Sequence, residues 1–138
     1  MARKRNPWEI TPAKGRKPPL PESLKAEVQA KADDLIQNVL RPRCIKPTPQ
    51  DARFNHVIDI RAKWHRDYFY FTSTYACPGP DALSPTFEAK FARMEHLGGG
   101  KFALYAMRHT GKEWVGILDA LTVDECMKAI EEDPWFLP

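Results

Sequence analysis

The chain has 138 residues, 43% of them hydrophobic, and a net charge of only +3. That length suits one domain with a single sizeable core that needs neither disulfides nor metal. The charge is uneven: Arg3, Lys4, Arg5, Lys14, Arg16 and Lys17 against Glu9 exceed the whole net charge, so the remaining body is mildly acidic. Three widely spaced cysteines, Cys44, Cys77 and Cys126, form no CxxC pair, which fits a reducing, cytoplasmic setting. An N-terminus without an apolar core, and the lack of any run of eighteen apolar residues, argue against export and membrane spanning.

Residues 1–19 carry four prolines among basic side chains and bury little, so the composition predicts a tail that is disordered when free. Such a tail suits contact with polyanions, and it equally suits a plain solubilising end. Residues 20–138 are expected to form one α+β domain.

From Pro21 the spacing of Leu24, Val28, Leu35 and Val39, with Ile36 and Leu40 beside them, predicts an amphipathic helix that Pro42 should stop. A Pro-rich connector then leads to Phe54–Cys77, where β-branched and aromatic residues alternate as they do on a pleated, half-buried surface. This stretch is read as one long hairpin turning through Trp64–Asp67. That register sets Lys63 opposite Tyr68, Arg61 opposite Tyr70, Asp59 opposite Thr72 and Val57 opposite Thr74 on one face. The other face pairs Ala62 with Phe69, Ile60 with Phe71, Ile58 with Ser73 and His56 with Tyr75, and is expected to be the core side.

Three prolines and a glycine between Cys77 and Pro85 require a loop. Phe87–Leu97 fits both a capped helix and a strand; the strand is preferred because it leaves a continuous antiparallel meander. In that strand Lys90, Ala92, Met94 and His96 would share a face. Gly98–Gly100 reads as a turn, since a phosphate cradle would open a helix and this one precedes a strand. Lys101–His109 and Glu113–Leu118 form a second hairpin around Thr110 and Gly111, setting Met107 opposite Trp114 and Arg108 opposite Glu113. Both faces of these strands are apolar enough to suggest central strands or cover on both sides. Thr122 and Glu125 form a capping box, and Val123, Cys126, Met127 and Ile130 give the helix that follows one apolar face. Trp135, Phe136 and Leu137 are expected to cover an edge, or to serve a protein partner or self-association.

The fold class expected is therefore α+β, an antiparallel sheet of four or five strands in meander order flanked by an N-terminal and a C-terminal helix. For function, the histidines and cysteines show no metal-ligand spacing, and no cofactor motif is present. Cys77 lacks a local cation or helix N-terminus to activate its thiol, so a small structural cysteine is the reading adopted. Arg61, Lys63, Tyr68 and Tyr70 place cations beside flat rings, a mixture that suits stacked bases and phosphates, although lysine and arginine stems covering tyrosines would look the same. Arg108, His109 and Glu113 are the best polar cluster for acid–base work, without a second positioned carboxylate. The leading expectation is a non-enzymatic binding or interaction module of unknown partner. Nucleic-acid association through the basic tail and the basic aromatic face is the first alternative, and a small enzyme using His109 the second.

Overall fold

A strand pattern with a period of two, followed by strongly capped helical turns, is realised as a five-stranded antiparallel sheet with helices packed on one face. The computed structural model describes residues 19–45, 55–79, 84–108 and 113–138. The expected tail residues Arg3, Lys4, Arg5, Lys14, Arg16 and Lys17, and the turn containing His109, lie outside these.

Helix α1 (Glu22–Leu35) starts after Pro21, with Glu22 in the first turn where the positive end of the helix dipole favours it. Pro42 does not stop the chain's helical course, contrary to expectation. The segment Ile36–Leu40 widens into a π-helical turn, in which the Arg41 N–H donates to the Ile36 carbonyl, and a final turn, α2 (Arg41–Cys44), follows before Ile45 becomes extended. Proline offers no N–H and crowds the carbonyl four residues back; bonds reaching five residues back relieve both problems.

Strands β1 (His56–His65), β2 (Tyr68–Ala76), β3 (Thr86–Gly98), β4 (Lys101–Met107) and β5 (Trp114–Leu121) lie side by side in sequence order. Residues 86–98 are thus the preferred strand. The β1–β2 turn is one residue later than expected: His65 pairs with Tyr68, so Arg66 and Asp67 make a two-residue turn with Arg66 at φ 57°. Lys63 consequently faces Tyr70, and Arg61 faces Thr72, in place of Tyr68 and Tyr70. A displacement of two in the partners of Asp59 to Lys63 leaves each of these residues on its expected face. Residues at the bulges do change sides. A bulge between Val57 and Asp59 turns Ile58 outward, 41% exposed, while Val57 packs against the core in its place. A second bulge, at Phe91 opposite Phe71 and Thr72, puts Lys90 on the face opposite Met94 and His96 and not with them.

The inner face carries Ile60, Ala62, Phe69, Phe71, Phe91, Ala92, Met94, Phe102, Leu104 and Ala106, and it meets Val28, Ala32, Leu35, Ile36 and Leu40 from the helical N-terminus. Helix α3 (Val123–Glu132) closes the other half of that face with the four apolar residues expected of it. Its capping box is complete: the Glu125 N–H donates to Thr122 Oγ1 at 3.2 Å and the Thr122 N–H to Glu125 Oε1 at 2.8 Å. Polar ties fix α1 on β1, with Trp64 Nε1 donating to the Lys25 carbonyl at 3.1 Å and Gln29 Nε2 to the Ala62 carbonyl at 2.9 Å. Lys31 bridges to Asp124 of α3 at 2.6 Å. The short 3-10 turn Pro134–Phe136 divides the apolar C-terminus: Phe136 is 1% exposed in the core, whereas Trp135 and Leu137 are 46% and 55% exposed.

At the β3–β4 hairpin, Gly98, Gly99 and Gly100 all take positive φ, as the expected glycine turn requires. The Gly100 N–H donates to Nε2 of buried His96 at 3.2 Å, and burial lowers the His96 pKa from its ordinary value of 6.5. The unfolded chain therefore takes up this proton first, so the contribution is intact above pH 6.5 and declines as the pH falls below it. Thermal melts from pH 7.5 to 5 should show this decline, and His96→Gln should flatten it; an unchanged slope in the variant would assign the acid sensitivity elsewhere.

Candidate functional site

All the helical packing lies on one side of the sheet, so among the described residues the opposite face is uncovered by any helix. Register decides what that face displays. Lys63, Tyr70, Arg93, Tyr105 and Gly116 lie opposite one another across all five strands. One row along, His65, Tyr68, Glu95 and Ala103 do the same across four.

Arg93 is the centre of this layer. Its guanidinium carbon sits 4.3 Å from the ring centroid of Tyr105, 4.7 Å from Tyr68 and 5.0 Å from Trp114. Tyr70 joins the group through Trp114, with centroids 6.0 Å apart, and through Tyr68 at 6.2 Å. The Lys90 ammonium lies 5.4 Å over the Tyr70 ring, a place it reaches because the Phe91 bulge returns it to this face. A planar cation among ring faces is held by the ring quadrupoles, and arginine suits this better than lysine because it is flat and weakly hydrated. Arg93 Nε is shielded from solvent and has no hydrogen-bond partner, so the rings alone hold that side of the group.

Carboxylates sort the remaining charge. Tyr105 donates its hydroxyl proton to Glu95 Oε1 at 2.8 Å; burial, and then this bond, push the phenol pKa up and keep it protonated. Arg61 is ion-paired to Glu88. Lys63 and Lys90 are exposed and have no ion pair among the described residues, so their charge is available at the margin of the aromatic layer.

Of the residues expected from sequence, Lys63, Tyr68 and Tyr70 thus stand together here, with Arg61 at the edge and neutralised. Arg93, Tyr105, Trp114 and Lys90 were not anticipated as one group. The pairing of two hairpins brings them together, and only the alternation of Tyr105 with Trp114 on one face was a signal. That face also corrects the expectation for the second hairpin. β5 is an edge strand, and the apolar character of its outer side belongs to the open aromatic layer and not to a covering element.

Of the polar cluster expected at the second turn, His109 lies outside the described residues. Arg108 and Glu113 are ion-paired at 3.7 Å with both side chains more than half exposed. Met107 does face Trp114, and the Arg108 N–H donates to the Glu113 carbonyl at 3.0 Å, as expected. Cys44, Cys77 and Cys126 form no disulfide with one another. Burial pushes the Cys126 thiol up to about 12, so it stays protonated and unreactive in the core. Among the described residues no group of three or more histidine, cysteine or carboxylate side chains could hold a metal ion, and no helix is long and apolar enough to cross a membrane.

Three cavities are described. The largest, about 460 Å3, lies between α1 and α3 and is rimmed by Asp34, Asp124 and Glu131 with Lys31. Another, about 240 Å3, lies where α1 and the π turn meet β1, beside Arg41 and Arg61. The third, about 280 Å3, opens on the uncovered face beside Tyr105. Only this last one adjoins the aromatic layer.

A family model, a domain of unknown function (DUF3024), matches residues 20–138. The chain belongs to this family. The match takes in every described helix and strand, and with them the whole Arg93 layer. No curated protein and no solved structure matches the chain.

Proposed function

We propose that this member of the family is a non-enzymatic binding protein that takes single-stranded nucleic acid on the uncovered face of its sheet. The observation that carries the reading is the layer of Tyr68, Tyr70, Tyr105 and Trp114 around Arg93, flanked by Lys63 and Lys90, which make no ion pair among the described residues. Unstacked bases pack on aromatic rings and on guanidinium planes, and lysines at the margin meet the phosphates. Charge distribution supports the same side: α3 presents Asp124, Glu125, Glu131 and Glu132 against Lys128 alone, which repels a polyanion from the helical face. The basic residues Arg3, Lys4, Arg5, Lys14, Arg16 and Lys17 would add phosphate contacts, and three widely spaced cysteines suit a cytoplasmic setting.

Fluorescence anisotropy with single- and double-stranded oligonucleotides across a salt series tests this, using the full chain and one lacking residues 1–19. Single strands should bind more tightly than duplex. Removing the tail should reduce the salt slope by roughly 0.7 for each lost phosphate contact while leaving a sheet-borne preference for single strands. Absence of binding at low salt by either form would rule the reading out. A second reading has its own observation: exposed Trp135 and Leu137 suit a protein contact at the C-terminus, which would depend little on salt.

A further inference from the structure

The cavity beside Tyr105 has a composition the rest of the sheet face lacks. It is lined by Ala103, Tyr105, Gly116, Ile117, Leu118 and Asp119, and its volume of about 280 Å3 is just under the ~300 Å3 at which small-ligand pockets begin. The side chains that line it are apolar or aromatic except for one carboxylate. Asp119 Oδ1 is shielded from solvent with no hydrogen-bond partner, and a buried acceptor left in that state calls for a donor.

The backbone is irregular here. The pairing of β4 with β5 shifts twice, between Tyr105 and Leu104 and again between Leu104 and Phe102, so β5 carries extra residues around Ile117 and before Leu121. Ala120 is held at φ 58°, an unfavourable conformation for a residue with a side chain. Bulges re-aim side chains, and strained residues gather at binding sites because regular pairing would not put the group there. Gly116 leaves the pocket floor low: a Cβ there would lie 3.5 Å from the Tyr105 ring.

We infer that this pocket is a base-specific subsite of the sheet face, seating one unstacked guanine between Tyr105 and the Asp119 carboxylate; the inference rests on the single-strand reading above. Once its side chain turns Oδ1 into the pocket, the ionised Asp119 carboxylate only accepts hydrogen bonds and takes two adjacent donors at once. Guanine presents two adjacent donors, N1–H and the N2 amino group. Adenine and cytosine each offer an amino group beside a ring acceptor, which would face the second carboxylate oxygen and repel it. Uracil and thymine flank their single N–H with two carbonyls. The donor pattern therefore selects guanine, and the volume admits it.

The test uses all-pyrimidine 12-mers, the same strands with one central guanine, and the same with inosine, which lacks the N2 amino group, as both RNA and DNA. Each is titrated by anisotropy into the full chain and into Asp119→Asn, a change of nearly equal volume. Guanosine monophosphate is titrated in parallel, following the amide resonances of Gly116 and Asp119. One guanine should tighten binding about tenfold, the discrimination a good two-bond base contact gives. Inosine should lose part of that gain, and Asp119→Asn should abolish it while leaving all-pyrimidine binding intact. Equal binding of guanine and pyrimidine strands, or a preference that survives Asp119→Asn, overturns the subsite and leaves the sheet-face reading standing. If no strand binds, the sheet-face reading fails; shifts at Gly116 with the mononucleotide that vanish in Asp119→Asn would still support the pocket, and no shifts would overturn it too.

Discussion

Phe71→Ala should destabilise the domain by about 3–5 kcal/mol, the cost of deleting a buried aromatic and leaving a cavity behind. Phe71 is fully buried, meets Phe69 edge-on at 5.4 Å and Phe91 at 6.0 Å, and lies on β2, an interior strand pairing with both β1 and β3. Domains of this size are stable by only about 5–15 kcal/mol, so the loss is a large part of the total. With a urea slope near 2 kcal/mol per molar, the midpoint should fall by about 2 M at unchanged slope. Leu97→Ala is the control: it lies at the end of β3 with 41% exposure, and a change there should stay within about 0.5 kcal/mol. A Phe71→Ala cost under about 1 kcal/mol would mean that the inner face is not the packed one and that the two faces have been assigned the wrong way round.

That assignment was largely readable from sequence, because a period-2 pattern fixes faces even when register is misjudged. The β1–β2 turn shows why. Arg66 does not favour positive φ, so nothing local announces a two-residue turn that sets it there. The later turn moves the partners of Asp59 to Lys63 by two and leaves Ala62, Ile60, Phe69 and Phe71 inside. Bulges break the rule, since one extra residue reverses every side chain beyond it. Each bulge left the same trace, two neighbouring residues both suited to the core, Phe91 with Ala92 and Val57 with Ile58. Thr122 to Glu125, by contrast, is a purely local device, and it formed as the sequence implies. Pro42 misled because a π turn upstream could absorb it, a tertiary adjustment that no local rule contains.

The site was half legible for a related reason. Arg61, Lys63, Tyr68 and Tyr70 lie on one hairpin, so alternation alone groups three of them correctly. Arg93 sits on a third strand and Trp114 on a fifth, and their meeting depends on how separate hairpins align. Sequence spacing carries no record of that alignment, which the core side chains on the other face impose.

Arg93→Ala should weaken single-strand binding by roughly tenfold or more, because a stacking position is worth ~1–3 kcal/mol and the arginine holds several rings in place. The same change removes three cation–ring contacts at 4.3–5.0 Å, each worth ~0.5–1 kcal/mol at a partly exposed site, so the melting temperature should also fall. Affinity and stability must therefore be separated. Arg93→Lys keeps the charge but not the flat guanidinium. If the layer binds bases, the lysine variant should retain the wild-type salt slope, since phosphate contacts are unaltered, yet bind several-fold more weakly. Lys63→Gln should do the reverse, lowering the slope by roughly one phosphate contact with little change in stability, because Lys63 has no ion pair to lose among the described residues. Should Arg93→Ala lower the melting temperature yet bind as the wild type does, the rings and the arginine would be a second small core that packs for its own sake. Nucleic-acid binding would then have to be sought away from this face.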